Sequence, residues 1–189
     1  VDCAPVPFDK PDRERLKEAI EKKDPYLWLA CEIQYYSAVR PGTELRLLKV
    51  KDVDRYRKTI SIHSDMAKNR EKAIVAVPQV VIDQMERLGI FEYDPELYIF
   101  GRYGCPAADP VGKNTLRNRF NRYREQLGIS EDKKFYSWKH TGAIEAIDAD
   151  MPIVQLRDHL RHKSIATTEI YIKNHSTKRD TAGKFISEL

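Results

Sequence analysis

Between Val50 and Val77 the chain changes its hydrophobic period, and that change limits the folds open to it. Lys58-Thr59-Ile60-Ser61-Ile62-His63 and Ala73-Ile74-Val75-Ala76-Val77 read as strands, and the polar run from Ser64 to Lys72 forms the turn between them. A third strand near residues 50–54 completes a small antiparallel sheet. On both sides of this interval the apolar residues mostly recur at helical spacing. Asp9, a side-chain acceptor, precedes Pro11, and Leu16, Ala19 and Ile20 follow among charges, which predicts an amphipathic surface helix over residues 9–23. From Pro25 to about Val39 the residues Leu27, Trp28, Leu29, Cys31, Ile33, Tyr35 and Tyr36 are apolar around most of the circumference, as in a central buried helix. A short helix is expected around residues 44–48. Longer helical patterns cover 78–88, 114–127 and most of the stretch from Ser137 onward, with Gly89 and Gly128 as stops. The stretch 101–112, rich in Pro and Gly, reads as a loop within the domain. The fold class is α+β, mostly α, with one three-stranded antiparallel sheet.

Composition narrows the function. With 189 residues, 41% of them hydrophobic, the chain can build one sizeable core, so a single domain over 1–189 is expected. Cys3, Cys31 and Cys105 are odd in number and widely spaced, which suggests neither a disulfide framework nor a zinc site and points to a reducing, cytosolic setting. No apolar run approaches the roughly 18 residues that span a bilayer, and no membrane partner is expected. A net charge of +4 suits a nucleic-acid partner. Basic residues concentrate at Lys113, Arg117, Arg119, Arg122 and Arg124, on a predicted helix that also carries Leu116, Phe120, Tyr123 and Leu127 at core spacing. This helix either lies against DNA phosphates or presents a solvated face. His159 and His162 share a helical face at i and i+3, but no Cys joins them at zinc spacing, so neither metal nor cofactor is expected. There is no glycine-rich phosphate loop, nucleophile elbow or HExxH.

Four segments carry chemistry. In the first, Arg40 follows the buried helix and is succeeded by Glu44, a Leu-rich turn and Asp52-Val53-Asp54. The second is the turn between the two long strands, with Lys68 and, as the fallback, Lys72. Tyr136-Ser137-Trp138-Lys139-His140-Thr141 is the third, and the last runs from Leu156 through His162 to Tyr171, on a helix starting near Ser164 or Ile165. In this order they resemble the boxes of the tyrosine recombinases, the phage integrase family. Three departures stand out. The family places its acidic residue three after the arginine, whereas Glu44 is four after Arg40. Its His-x-x-Arg-His-Thr box has Tyr136 and Lys139 here at the first His and the Arg. Arg161 replaces the glycine of Leu-Gly-His-Ser.

The resemblance implies DNA cleavage and rejoining through a 3′-phosphotyrosyl intermediate, with Tyr171 as nucleophile, Lys68 as general acid, and Arg40, Lys139 and His162 on the phosphate. Tyr136 is assigned to proton transfer in place of the missing histidine. A phenol with a pKa near 10 attacks at neutral pH only with cations on the non-bridging oxygens and a proton acceptor nearby. Lysine is a point charge where arginine would grip two oxygens, so Lys139 should hold the phosphate less rigidly. The implied function is site-specific recombination or integration of a mobile element. Implied too are a double-stranded DNA partner, a tetramer on DNA through the C-terminal segment, a monomer in isolation, and a cytoplasmic, nucleoid-associated location. The N-terminal core-binding domain of the family has no counterpart in the sequence. Two alternatives stay open: a DNA-binding module of the same fold with impaired chemistry, and DNA relaxation like that of type IB topoisomerases.

Overall fold

The computed structural model describes residues 6–65 and 72–175. The chain divides into two compact units, Val1–Gly142 and Ala143–Leu189.

In the first unit, α1 (Lys10–Ile20) begins where the Asp12 amide donates to Asp9 Oδ1 at 2.9 Å, and it buries Leu16 and Ile20. Asp24 caps α2 (Pro25–Ser37) in the same way, accepting from the Leu27 amide at 3.1 Å. Side-chain acceptors at these positions satisfy amides that the helix itself cannot. Leu27, Leu29, Cys31 and Ile33 of α2 are completely buried, as expected of a helix apolar on nearly every side. Around it the aromatic residues interlock. Trp28 meets Trp138 edge-on at 5.5 Å between ring centres, and Phe8 lies 4.7 Å from Trp138 and 5.8 Å from Phe120. Phe8 thereby draws the first described residues onto the core.

The sheet has the order β1-β2-β3, all antiparallel, from β1 (Val53–Asp54), β2 (Thr59–Ile62) and β3 (Ala73–Ala76). Ile60 pairs with Val75 and Ile62 with Ala73. Ile60, Ile62 and Val75 face the core, each side chain worth about 2 kcal/mol of burial. Alternation puts Ile74 on the opposite face, 75% exposed. The first strand is shorter than the sequence predicts, because residues Val50–Asp52 form a 3-10 turn in which Asp52 Oδ2 accepts from the Lys49 amide at 2.9 Å. Helix α3 (Gln79–Arg87) ends before Gly89, and α4 (Thr115–Gln126) ends before Gly128. Both glycines have a φ of 64°, a conformation in which other residues are strained. The first turns of α5 (Ser137–Asp148) complete this unit.

In the second unit, the end of α5 is followed by α6 (Ile153–Leu160) and α7 (Ile165–His175). Its buried side chains among the described residues are Ala143, Leu156, Leu160 and Thr168. No helix among the described residues is long and apolar enough to cross a membrane.

Candidate active site

Arg40 stands where the chain leaves α2. Ala38 closes that helix in the left-handed conformation at φ 51°, and Ser37 Oγ donates to the Ala76 carbonyl at 2.8 Å, pinning the helix end to β3. The next residues do not form the helix expected at 44–48. Pro41–Leu45 is instead a single π-helical turn, closed by the Leu45 amide donating to the Arg40 carbonyl at 2.9 Å. This wide turn brings Glu44 back under Arg40 despite the four-residue spacing. One Glu44 oxygen accepts from the Arg40 amide at 2.8 Å and the other from its guanidinium at 2.7 Å. Glu44 is completely buried, while the Arg40 side chain keeps 21% of its surface. The guanidinium is therefore aimed, with a partly open edge.

Tyr136 and Lys139 flank the start of α5. Tyr136 is half-buried, with its ring edge-on to His140 at 5.0 Å, and Lys139 is only 6% exposed. Thr141 locks this turn in place, because its hydroxyl donates to the Ser137 carbonyl at 2.7 Å and accepts from the Phe8 amide at 2.9 Å. One residue on, a Cβ at Gly142 would lie 1.8 Å from the Tyr35 carbonyl oxygen. Helices α2 and α5 thus touch backbone to backbone at this point, so the arginine and lysine segments lean on one rigid crossing. Nothing in the third segment's polar pattern announces this role for Gly142.

In the second unit, Arg161 ends α6 with φ 54°, and its amide donates back to the Arg157 and Asp158 carbonyls. The glycine expected at this position by resemblance now has a physical reason, since the residue must be left-handed. His162 follows, with Nδ1 3.0 Å from the Thr168 hydroxyl and its ring centre 5.9 Å from that of Tyr171. Thr168 is completely buried and orients the imidazole. It lies one helical turn before Tyr171 on α7. The tyrosine itself is half-buried.

Lys68 lies outside the described residues, while Lys72 is exposed just before β3. The base of the hairpin is tied down by Asp52, whose Oδ1 is 2.7 Å from His63 Nε2. The basic residues on α4 and just before it divide into two sets. Arg119 is fully engaged with Asp24, its Nε donating at 2.9 Å, and Arg124 is buried with a contact of 3.2 Å to Glu125. Lys113, Arg117 and Arg122 are exposed. No group of three or more His, Cys, Asp or Glu side chains among the described residues could hold a metal ion.

The first unit thus carries a three-stranded sheet among helices and an arginine held by a buried glutamate, and the second a histidine facing a tyrosine on the last described helix. The chain belongs to the phage integrase family, whose model matches residues 8–178. Its structure is similar to that of XerA recombinase, with a TM-score of 0.74 and 23% identity over 96% of this chain and 64% of that one. It also resembles the Tn1549 transposon integrase in complex with transposon right end DNA, with a TM-score of 0.76 and 15% identity over 95% of this chain and 64% of that one. XerH recombinase bound to difH substrate gives a TM-score of 0.72 at 17% identity, over 96% of this chain and 53% of that one. The chain thus spans less than two thirds of the length of each, and at these identities the likeness is one of fold. No curated protein matches the sequence significantly.

Proposed function

We propose that residues 1–189 form the catalytic domain of a site-specific tyrosine recombinase, an integrase of a mobile element, that cuts and rejoins double-stranded DNA. The observation that supports this most is the His162–Tyr171 pair, 5.9 Å ring to ring, with the imidazole fixed by buried Thr168. An imidazole preset beside the phenol can stabilise the phosphate that the phenol attacks.

In the proposed reaction the Tyr171 oxygen attacks the scissile phosphorus, and the bond from phosphorus to the 5′-oxygen breaks. The phenol proton passes through the Tyr136 hydroxyl to solvent, and Lys68 gives a proton to the departing 5′-oxygen. Arg40, Lys139 and His162 neutralise the non-bridging oxygens as charge builds on them. The product is a 3′-phosphotyrosine, which a 5′-hydroxyl of a partner strand attacks in reverse, regenerating Tyr171. The linkage is conserved throughout, so no nucleotide cofactor is needed. Lys113, Arg117 and Arg122 contact DNA phosphates, whereas Arg119, engaged with Asp24, contributes chiefly by holding α4 in place, and Arg124 is buried away from DNA. Assembly on DNA is a tetramer joined through the C-terminal segment, whose residues 176–189 lie outside the described ones. The protein works on the nucleoid in the cytoplasm.

A second reading, a DNA-binding module with impaired chemistry, is favoured by one observation. The third segment offers a buried ammonium at Lys139 where a guanidinium would hold two oxygens. Nicked duplexes from the ends of the element separate the two. A denaturant-resistant protein–DNA adduct that disappears in Tyr171→Phe is expected. Clear binding with no adduct on any junction would sink the catalytic role, and supercoil relaxation without a specific sequence would point to topoisomerase-like action.

A further inference from the structure

Beside the segment that carries Arg40, a cavity of about 230 Å³ opens between the π turn and the start of α4. Arg46, Lys113 and Arg117 line it, and no carboxylate does. In this it differs from two other basic hollows among the described residues. One contains Asp24, already paired with Arg119, and the other contains Asp52 and Asp65. A cation whose charge a neighbouring carboxylate neutralises holds an added anion weakly. Three cations in a cavity that no carboxylate lines hold it better.

Arg46 is placed for such a task. Its Nη1 donates to the Val111 carbonyl at 3.1 Å, which fixes the guanidinium in the wall, and its buried Nε has no hydrogen-bond partner among the described residues. The same cavity is floored by the N-terminus of the 12-residue helix α4, where the Asn114 side chain makes no capping bond. First-turn amides there keep donors to offer, and the helix dipole adds partial positive charge. Gly42 and Gly112 in the wall leave the backbone open to a close approach.

We propose that this cavity seats one backbone phosphate of the DNA, distinct from the phosphate that is cut, through Arg46, Lys113, Arg117 and the start of α4. Gly42 is two residues from Arg40, at most about 7 Å along the chain. The seat therefore lies close to the catalytic arginine and would set the register of the strand on it. A contact of this kind positions DNA without reading its sequence. The inference rests on the recombinase reading, since it takes DNA as the partner.

The test uses the full chain and a duplex carrying a cleavage site, with single neutral methylphosphonate linkages moved along each strand. One linkage near the cleavage point is expected to weaken binding by the wild-type protein and to weaken binding by Arg46→Gln less, since Lys113, Arg117 and the start of α4 remain in the variant. The salt dependence of binding should fall by about one unit of slope in that variant, on any sequence. Asn114→Asp serves as the folding control. A carboxylate suits a helix cap, so stability should hold or rise while DNA binding weakens. If the chain binds DNA and every neutral linkage weakens wild type and Arg46→Gln alike, the seat does not exist. If the chain binds no DNA, the recombinase reading falls and takes the seat with it.

Discussion

Arg40 stands at the end of a helix buried on nearly every side, over a glutamate without exposed surface. Tyr171, by contrast, lies on a helix whose unit buries, among the described residues, little beyond Ala143, Leu156, Leu160 and Thr168. Resistance to local opening grows with buried apolar surface, so these two halves of the candidate machinery have different mechanical characters. A group that stabilises developing charge works best when its orientation is fixed before the reaction. A nucleophile that must attack, remain bonded to DNA and be released again benefits from surroundings that yield at small cost. The contrast between a densely buried unit that carries Arg40 and, among the described residues, a sparsely buried one that carries Tyr171 follows from where the large apolar residues fall in the sequence.

The sharpest way to break this contrast is Gly142→Ala. Its new methyl would sit 1.8 Å from the Tyr35 carbonyl, so the α2–α5 crossing must open. We expect a loss on the order of 3–4 kcal/mol in urea unfolding, or failure to fold. Glu44→Ala should cost about 3 kcal/mol, because it leaves the Arg40 amide and guanidinium without their buried acceptor. Adduct formation should suffer more than stability does. If Glu44→Ala left adduct yield unchanged, the aimed arginine would have no part in the chemistry.

Acidity probes the densely buried unit separately. Burial pushes the Glu32 carboxyl on α2 from its ordinary 4.5 up to about 7. The folded state therefore holds this proton where the unfolded chain has lost it. That contribution is fully present below about pH 4.5, declines as pH rises to about 7, and is gone above, a fall of about 2 kcal/mol after allowance for solvent screening. Glu32→Gln should flatten this decline in a series of unfolding curves from pH 4.5 to 8. The smallest effect belongs to the second unit. Arg161→Gly removes a left-handed strain of about 1 kcal/mol. Amide exchange in α6 and α7 should slow, and the contrast between the units should narrow.

Most of the architecture was legible beforehand, because α2 is apolar around its circumference and β2 and β3 alternate cleanly. Boundaries failed where side chains bond to nearby backbone. Asp52 folding onto the Lys49 amide shortened β1, and the π turn replaced the short helix expected at 44–48. Within the candidate site, the order of Arg40, Lys139, His162 and Tyr171 could be read from motif resemblance. The supports of these residues could not. Thr168 lies six residues from the histidine it orients, and Gly142 matters only because another helix passes over it. Such roles depend on three-dimensional neighbours. The two sets of basic residues on α4 and just before it are indistinguishable in sequence for the same reason: Asp24 is 95 residues from Arg119.

The turn at Pro41–Leu45 has a consequence for how such a motif can change length. In an ordinary helix one added residue rotates everything after it by about 100°, since a turn takes 3.6 residues. Such a shift would carry an acidic partner away from its arginine. Here the surplus residue is taken up inside one loosened coil, and the pairing survives on both sides of it. Spacing and pairing are thereby uncoupled at this position. A lineage can lengthen the segment without an interval in which the arginine stands unsupported, and the spacing of the letters is a poorer guide to kinship than the contact they preserve.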